Sequence, residues 1–398
     1  MSNPATADPA DIIDWLLSGE ARRLPKGPAV LKALCLRLTA AGLPLARASF
    51  HVRTLHPQLF GVGYFWYRGR DDIEVFQAKH GVRDQEIYKQ SPIRLIFEGL
   101  SDEVRQSLEL PDEAFELSRY AEIKAQGMTE YMLLPLTFSD GKIHATTWST
   151  DRPGGFADAE VALIKAILPA FSLLIEIHLN RRIAINLLDT YVGHQAGEHI
   201  LSGQITRGSG ESIPAAIWFS DLRGFTAMSE SRSRDELLDL LNQFFDCLAA
   251  PVTERGGEIL KFIGDAMLAI FPLADEDACA KALEAAIEAQ ASLEALNAER
   301  ERNGETAIAC GIALHAGEVM YGNIGSQSRL DFTVIGPAVN LASRIEGLCP
   351  DLGADILLSQ AFADRLGGGV PLESLGGHRL KGVEDEVLVF RPSTGATA

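Results

Sequence analysis

Apolar residues recur at helical spacing from 26 to 43 (PKGPAVLKALCLRLTAAG), and the stretches 46–55 and 61–70 then alternate in the manner of strands. Two further β-rich runs, 131–138 and 142–150, flank Ser139-Asp140-Gly141, a turn sequence that predicts a hairpin. The first part of the chain is therefore expected to be mixed α/β with an antiparallel sheet. After Arg152-Pro153-Gly154-Gly155 the pattern turns helical over 157–202, where Leu174, Ile177, Ala184, Leu188 and Tyr191 keep a 3-4 spacing broken by Arg181. Such a seam suits pairing with a second copy, and equally suits packing on its own domain. Gly208-Ser209-Gly210 reads as a linker.

From Pro214 the pattern sharpens. Residues 215–220 form a short buried-type strand ending at Asp221, and Ser233 with Glu236 makes a capping box ahead of a helix over 237–253 that stops at Gly256-Gly257. Strands at 258–263 and 266–271 join through Gly264-Asp265, which reads as a hairpin. A helix over 277–301 closes at Asn303-Gly304, and 308–314 and 331–335 supply more strand on either side of a Gly-rich region, 315–325. The order βαββαβ predicts a ferredoxin-like sheet with helices on one face, followed by extra C-terminal strands. The fold class is α/β in the α+β sense. Three segments are expected: a domain over 1–156, a connecting helix and linker over 157–210, and a domain over 211–398.

Composition narrows the functions. A chain of 398 residues, 46% of them hydrophobic, can bury two or three cores. Its formal net charge of -18 repels nucleic-acid backbones and anionic lipid, so neither is an expected partner. A small anion such as a nucleotide can still be held where local cations overturn the bulk field. Cys35, Cys247, Cys279, Cys310 and Cys349 are scattered and show no CxxC pair, which argues against a disulfide framework and a zinc site. His194 and His199, five apart, lack helical metal spacing. The N-terminus has no secretory pattern, and the best apolar run, 166–175, contains Pro169 between Lys165 and Glu176. The expected location is cytoplasmic, with no membrane partner.

Two carboxylates stand out because each sits where an apolar strand runs out: Asp221, and Asp265 in the hairpin turn. Phosphoryl chemistry needs hard oxygen ligands that hold magnesium against the substrate phosphates, and two converging carboxylates are the least a protein can supply. Taken singly, each is as readily a turn or helix cap. Leu222-Arg223-Gly224-Phe225-Thr226 follows the first, a candidate substrate-binding turn whose glycine lets backbone approach phosphate. In VNLASRIEGL, Asn340 and Arg344 are four apart and project from one helix face, off the apolar stripe of Ala338, Leu341, Ile345 and Leu348. An arginine so placed can neutralise charge building on a phosphate, and a solvated helix face is the plain alternative.

The strings FSDLRGFT, KFIGDAML and DFTVIGPAVNLASRIE, in this order, resemble the class III adenylate/guanylate cyclase catalytic domain over about residues 190 to 392. The resemblance implies that Asp221 and Asp265 bind two Mg2+ or Mn2+ ions, that Asn340 orients the ribose, and that Arg344 stabilises the pentacoordinate α-phosphate. Lys381, in HRLKGVEDEV, is similar to the family's triphosphate-binding lysine. Base choice falls to Lys261 and Thr333, a pairing that resembles a bacterial adenylate-forming subgroup and favours ATP over GTP. Pro337 departs from the aspartate that many relatives carry after the IGP glycine, with no catalytic role attached to it. Family sites are shared head to tail, so a homodimer is implied. A catalytically silent nucleotide-binding regulator and a guanylate cyclase are the alternatives; a diguanylate cyclase would show GG[DE]EF where this chain has IGDAM.

Residues 1–156, with the SDGK hairpin and DRPGGF turn, resemble a GAF-type sensor whose small-molecule signal the sequence does not name. Phe60, Trp66, Tyr67 and Trp148 are read there as core aromatics or as pocket lining.

Overall fold

The computed structural model describes residues 8–393 and divides into two compact units, 1–187 and 188–398. In the first unit six strands, β1 (Arg47–Arg53), β2 (Leu59–Tyr67), β3 (Glu74–Lys79), β4 (Val104–Ser107), β5 (Glu130–Thr137) and β6 (Ile143–Thr150), form an antiparallel sheet of order β3-β2-β1-β6-β5-β4. The β5–β6 hairpin turns through Ser139-Asp140-Gly141 as the sequence predicts. β3 and β4 were not expected: β3 is almost wholly exposed and β4 has four residues, so neither carries an apolar alternation long enough to read.

Strand alternation gives the sheet two different faces. Ala48, Phe50, Val52, Trp66 and Trp148 pack into one core with the helices Gly27–Ala40 and Asp158–Tyr191. Trp66 and Trp148 are thus core aromatics, 1% and 0% exposed. Arg47, Ser49 and His51 project the other way and are buried as well.

The expected 157–202 helix forms over most of its length, packs on its own domain and is broken near its end. It runs through Pro169, whose missing N–H costs one bond of a helix held on both sides by buried residues such as Leu168 and Phe171. It ends at Tyr191, and a separate helix, His194–Leu201, begins after Gly193 at φ 99, a left-handed backbone that breaks the ladder. Leu174, expected on the seam, is 3% exposed in its own core; the exposed apolar line is Leu173, Ile177, Leu187 and Tyr191. The helix is also long and apolar enough to cross a membrane by length and composition, contrary to the expectation of no such span, although 56% of its most apolar window is buried inside the protein.

In the second unit, β7 (Gly210–Leu222), β8 (Glu258–Ile263), β9 (Ala266–Pro272), β10 (Cys310–Gly325), β11 (Leu330–Ile335), β12 (Ile356–Ser359), β13 (Leu372–His378) and β14 (Val387–Pro392) make one sheet. Its path is β13-β14-β12-β10-β7-β9-β8, with β11 paired to β10. The central β10-β7-β9-β8 is the antiparallel ferredoxin-like arrangement that βαββαβ predicts. Helix Arg234–Glu254 opens with the full Ser233/Glu236 capping box.

Three expectations change here. Gly210, read as linker, already pairs with Gly322 at the start of a 13-residue β7. The Gly-rich 315–325 is strand, because a Cβ at Gly317 would stand 2.8 Å from that of Ala338, and the glycine lets helix Pro337–Glu346 seat against β10. Helices cover both faces rather than one: Arg234–Glu254 and Ala278–Arg302 pack on Trp218 and Phe271, while Ala196, Ala338 and Ala342 pack against Ile217 and Leu268 on the reverse.

Candidate functional site

Asp221 lies near the end of β7, opposite Ala266 on β9 and Gly311 on β10. Because Asp265 immediately precedes Ala266 in the two-residue turn between β8 and β9, register alone brings the two carboxyls side by side. Gly264 takes φ 67 at the first turn position, where such a hairpin demands a left-handed backbone. Burial, the Asp265 charge and a hydrogen bond to Asp265 together raise the Asp221 pKa to about 6.

A third carboxylate joins them. Glu346, at the end of helix Pro337–Glu346, is 8% exposed, and burial with the charges of Asp221 and Asp265 pushes its pKa up to about 7, against the opposing pull of Arg223. Sequence reasoning missed it. The readable signal was a carboxylate four residues after buried Ala342, on the side of the helix that faces the sheet.

The side chains after Asp221 are engaged elsewhere. Leu222 is core, 2% exposed, and Arg223 donates to the Ala354 carbonyl at 2.6 Å and pairs with Asp355 at 3.1 Å. Gly224, Phe225 and Thr226 turn into the short helix Phe225–Ser231, with Gly224 and Thr226 exposed.

Asn340 and Arg344 line a separate cavity of about 600 Å3 with His315, Glu318, Gly382 and Val383. The two side chains share a helix face, as predicted. Lys381 is exposed in the β13–β14 connection next to Gly382, whose Cβ position lies 3.5 Å from an Arg344 Nη. His315 donates or accepts through Nδ1 to Ser359 Oγ at 2.8 Å, and burial lowers its pKa to about 4, leaving the ring neutral. Pro337 occupies the first turn of the helix, where no N–H is needed.

Within one chain, therefore, the predicted residues form groups that do not meet. At about 100° per residue, Glu346 projects about 200° round the helix from Arg344, so the carboxylate side and the Asn340/Arg344 side look in nearly opposite directions. Lys261 is half-buried on β8, past a register shift, and lines another cavity, of about 680 Å3, with Val192, Gly193 and Thr253. Thr333 lies opposite Gly322 on β11, 2% exposed, with an Oγ1 that has no hydrogen-bond partner.

Residues 210–390 match the family model described as "Adenylate and Guanylate cyclase catalytic domain". Over this stretch the chain is similar to adenylate and guanylate cyclase catalytic domains. An adenylate cyclase of Anabaena cylindrica is 40% identical over 163 residues, which are 40% of this chain and 32% of that protein. Adenylate cyclase 1 of Rhizobium meliloti is 32% identical over 166 residues, 41% of this chain and 25% of that one. The chain thus spans a third or less of the length of these curated relatives. Among solved structures, the adenylyl cyclase CyaB of P. aeruginosa aligns at 26% identity and a TM-score of 0.43, covering 46% of this chain and 95% of that one. Catalytic domains of this family use divalent metal, and two adjacent carboxyl groups, with the Asp221 pKa raised by burial and by the neighbouring Asp265 charge, fit that need: Asp221 and Asp265 would hold the cation, whose charge would offset their repulsion. Among the described residues no three His, Cys, Asp or Glu side chains form a closed metal cage.

Proposed function

We propose that the cyclase domain converts ATP to 3′,5′-cyclic AMP and pyrophosphate at sites shared between two copies of the chain. The observation that carries this reading is the opposed placement on helix Pro337–Glu346: Arg344 cannot serve the carboxylates on its own chain, so a complete site needs the carboxylates of one protomer and Asn340 and Arg344 of the other. Apolar side chains left half-exposed on the strands that carry these groups, Phe262 and Ile263 on β8 and Ile335 on β11, support a partner surface there.

Asp221 and Asp265 hold Mg2+ or Mn2+, two ions per site, whose chemistry is to acidify the ribose 3′-hydroxyl and screen the phosphate charge. Asn340 fixes the ribose, so that the 3′-oxygen faces the α-phosphorus. As the new O–P bond forms, the bond from the α-phosphorus to the bridging oxygen breaks, pyrophosphate departs and the 3′-hydroxyl proton is lost to solvent. Arg344 neutralises charge accumulating on the α-phosphate oxygens. Lys381 and the exposed backbone at Gly224–Thr226 flank the triphosphate. Lys261 donates to an acceptor nitrogen of adenine, and the unpartnered Thr333 hydroxyl accepts from its exocyclic amine. The N-terminal unit, with its GAF-like pattern, sets the activity of the dimer.

The test is complementation. Asp221→Ala and Asn340→Ala chains, each inactive alone, are expected to regain ATP cyclisation when co-assembled, in about half of the sites of a mixed dimer. Proven co-assembly without activity overturns the shared site. Cyclic GMP as the main product from mixed ATP and GTP overturns the base assignment.

A further inference from the structure

Helix Pro337–Glu346 delivers a carboxylate that the reaction proposed above leaves unused. Glu346 is 8% exposed, and no donor among the described residues hydrogen-bonds its carboxylate. Arg223, whose charge is felt there, donates instead to the Ala354 carbonyl at 2.6 Å and pairs with Asp355 at 3.1 Å. A carboxylate buried without donor or cation is costly. Yet neither oxygen is sealed: the partnerless polar atoms shut off from solvent lie in other residues, such as Trp66 and Thr333, so water reaches the Glu346 carboxylate.

The backbone is shaped around this side chain. A Cβ at Gly311 would stand 2.3 Å from Glu346 Oε1 and 3.1 Å from the Cβ of Cys349, so the carboxylate occupies the place where any other residue at 311 would put its side chain. Gly311 on β10 is directly opposite Asp221 on β7. Directly opposite residues of an antiparallel pair point to the same face, with Cβ positions about 5 Å apart. Glu346 Oε1 is therefore held on the Asp221 side of the sheet, within about 8 Å of the Asp221 Cβ. Asp265 reaches the same place through its turn, since Ala266 is opposite Asp221 on β9. Among the described residues the three carboxyls do not close into a cage, so Glu346 stands one layer behind the pair.

Ions of the magnesium type are held by one or two carboxylates and keep several waters. Those waters are donors, and a carboxylate just behind the direct ligands accepts from them and so fixes the ion and its shell. We propose that Glu346 is a positioning residue of the metal site: its carboxylate accepts a hydrogen bond from water on the cation that Asp221 and Asp265 hold on the same chain. This rests on the reading of Asp221 and Asp265 as the metal pair. One helix then braces the metal of its own chain with its last residue while it offers Asn340 and Arg344 to the other protomer.

Mn2+ alone, titrated into the full chain without nucleotide and followed by the EPR signal of the free ion, tests this. The parent is expected to bind saturably, and Asp221→Asn to lose that binding. Glu346→Gln is expected to bind Mn2+ about tenfold more weakly or worse, the scale of a lost outer-sphere partner. Without metal at pH 7 it is expected to melt no lower than the parent, because it removes an uncompensated charge. Glu346→Asp keeps the charge but withdraws it by one methylene, and is expected to weaken binding as well. Parent-like affinity in E346Q overturns the proposal, and so does parent-like affinity in E346D, which leaves only the field of the charge at work. A lowered metal-free midpoint in E346Q overturns it too, by marking the residue as structural. If Asp221→Asn binds like the parent, or the parent does not bind, the metal pair itself is wrong and the proposal falls with it; loss in Asp221→Asn beside parent-like binding in E346Q defeats the positioning role alone.

Discussion

At the scale of single residues, the least anticipated feature is Glu346. Its folded pKa of about 7 lies above the ordinary 4.5, so the folded chain keeps a proton that the unfolded chain gives up. By linkage, this group adds nothing below about pH 4.5 and progressively costs stability as pH rises towards 7, by up to about 3 kcal/mol if the full shift is realised. In metal-free protein, Glu346→Gln is expected to raise the melting temperature above pH 6 and to leave it unchanged near pH 4; equal shifts at both values would show that the charge is not the cause. Arg344→Ala is expected to lower kcat by about 100-fold while KM for ATP moves little, as for a group whose interaction strengthens only in the transition state. Asp221, Asp265, Asn340 and Arg344 stood out as candidates because each breaks a local pattern, a charge ending an apolar strand or a polar pair beside an apolar stripe, although each alone suits a cap or a solvated face and the family resemblance is what joins them. Glu346 did not stand out, because its carboxylate lies close to the helix stripe and only the fold shows what it faces.

Among the elements, the ones read correctly share strong local signals. The capping box at Ser233 and the Gly264-Asp265 turn specify their neighbours whatever the tertiary context. What the sequence concealed were boundaries set by pairing at a distance: β7 begins at Gly210 because β10 continues to Gly322 opposite it, and β10 absorbs glycines that local propensity assigns to a loop. Helix His194–Leu201 is tied to the sheet by one buried carboxylate, Glu258, which accepts from the Ala196 N–H at 3.1 Å and from the Tyr321 hydroxyl at 2.9 Å. Burial raises the Glu258 pKa, and these donors pull it back. Tyr321→Phe is therefore expected to cost about 1–3 kcal/mol, since the carboxylate keeps its burial and loses a donor. Chemical denaturation followed at Trp218 checks the figure, and a change below about 0.5 kcal/mol would mean that water replaces the hydroxyl.

For the molecule as a whole, acid acts differently on the two units. The first holds His51 and His144 neutral, with pKa values lowered by burial to about 3 and about 4. Unfolding lets both take up protons below about pH 6.5, so the stability of this unit falls as pH drops through that window, by up to about 1.4 kcal/mol per pH unit for each ring. The second unit holds one such ring, His315, and the opposing carboxylates Asp221, Glu258 and Glu346. Hydrogen exchange at pH 7 and pH 5 is expected to show protection lost first in β1 and β6, and loss first in β7 and β10 would contradict this. The two outlooks of helix Pro337–Glu346 have a further consequence. With sites shared as proposed, a chain carrying both Asp221→Ala and Asn340→Ala offers neither half of any site, so it is expected to silence both sites of an intact chain that it captures. Added in equal amount to unaltered protein, such a chain is expected to act as a dominant-negative poison, with random assortment leaving about half of the original output.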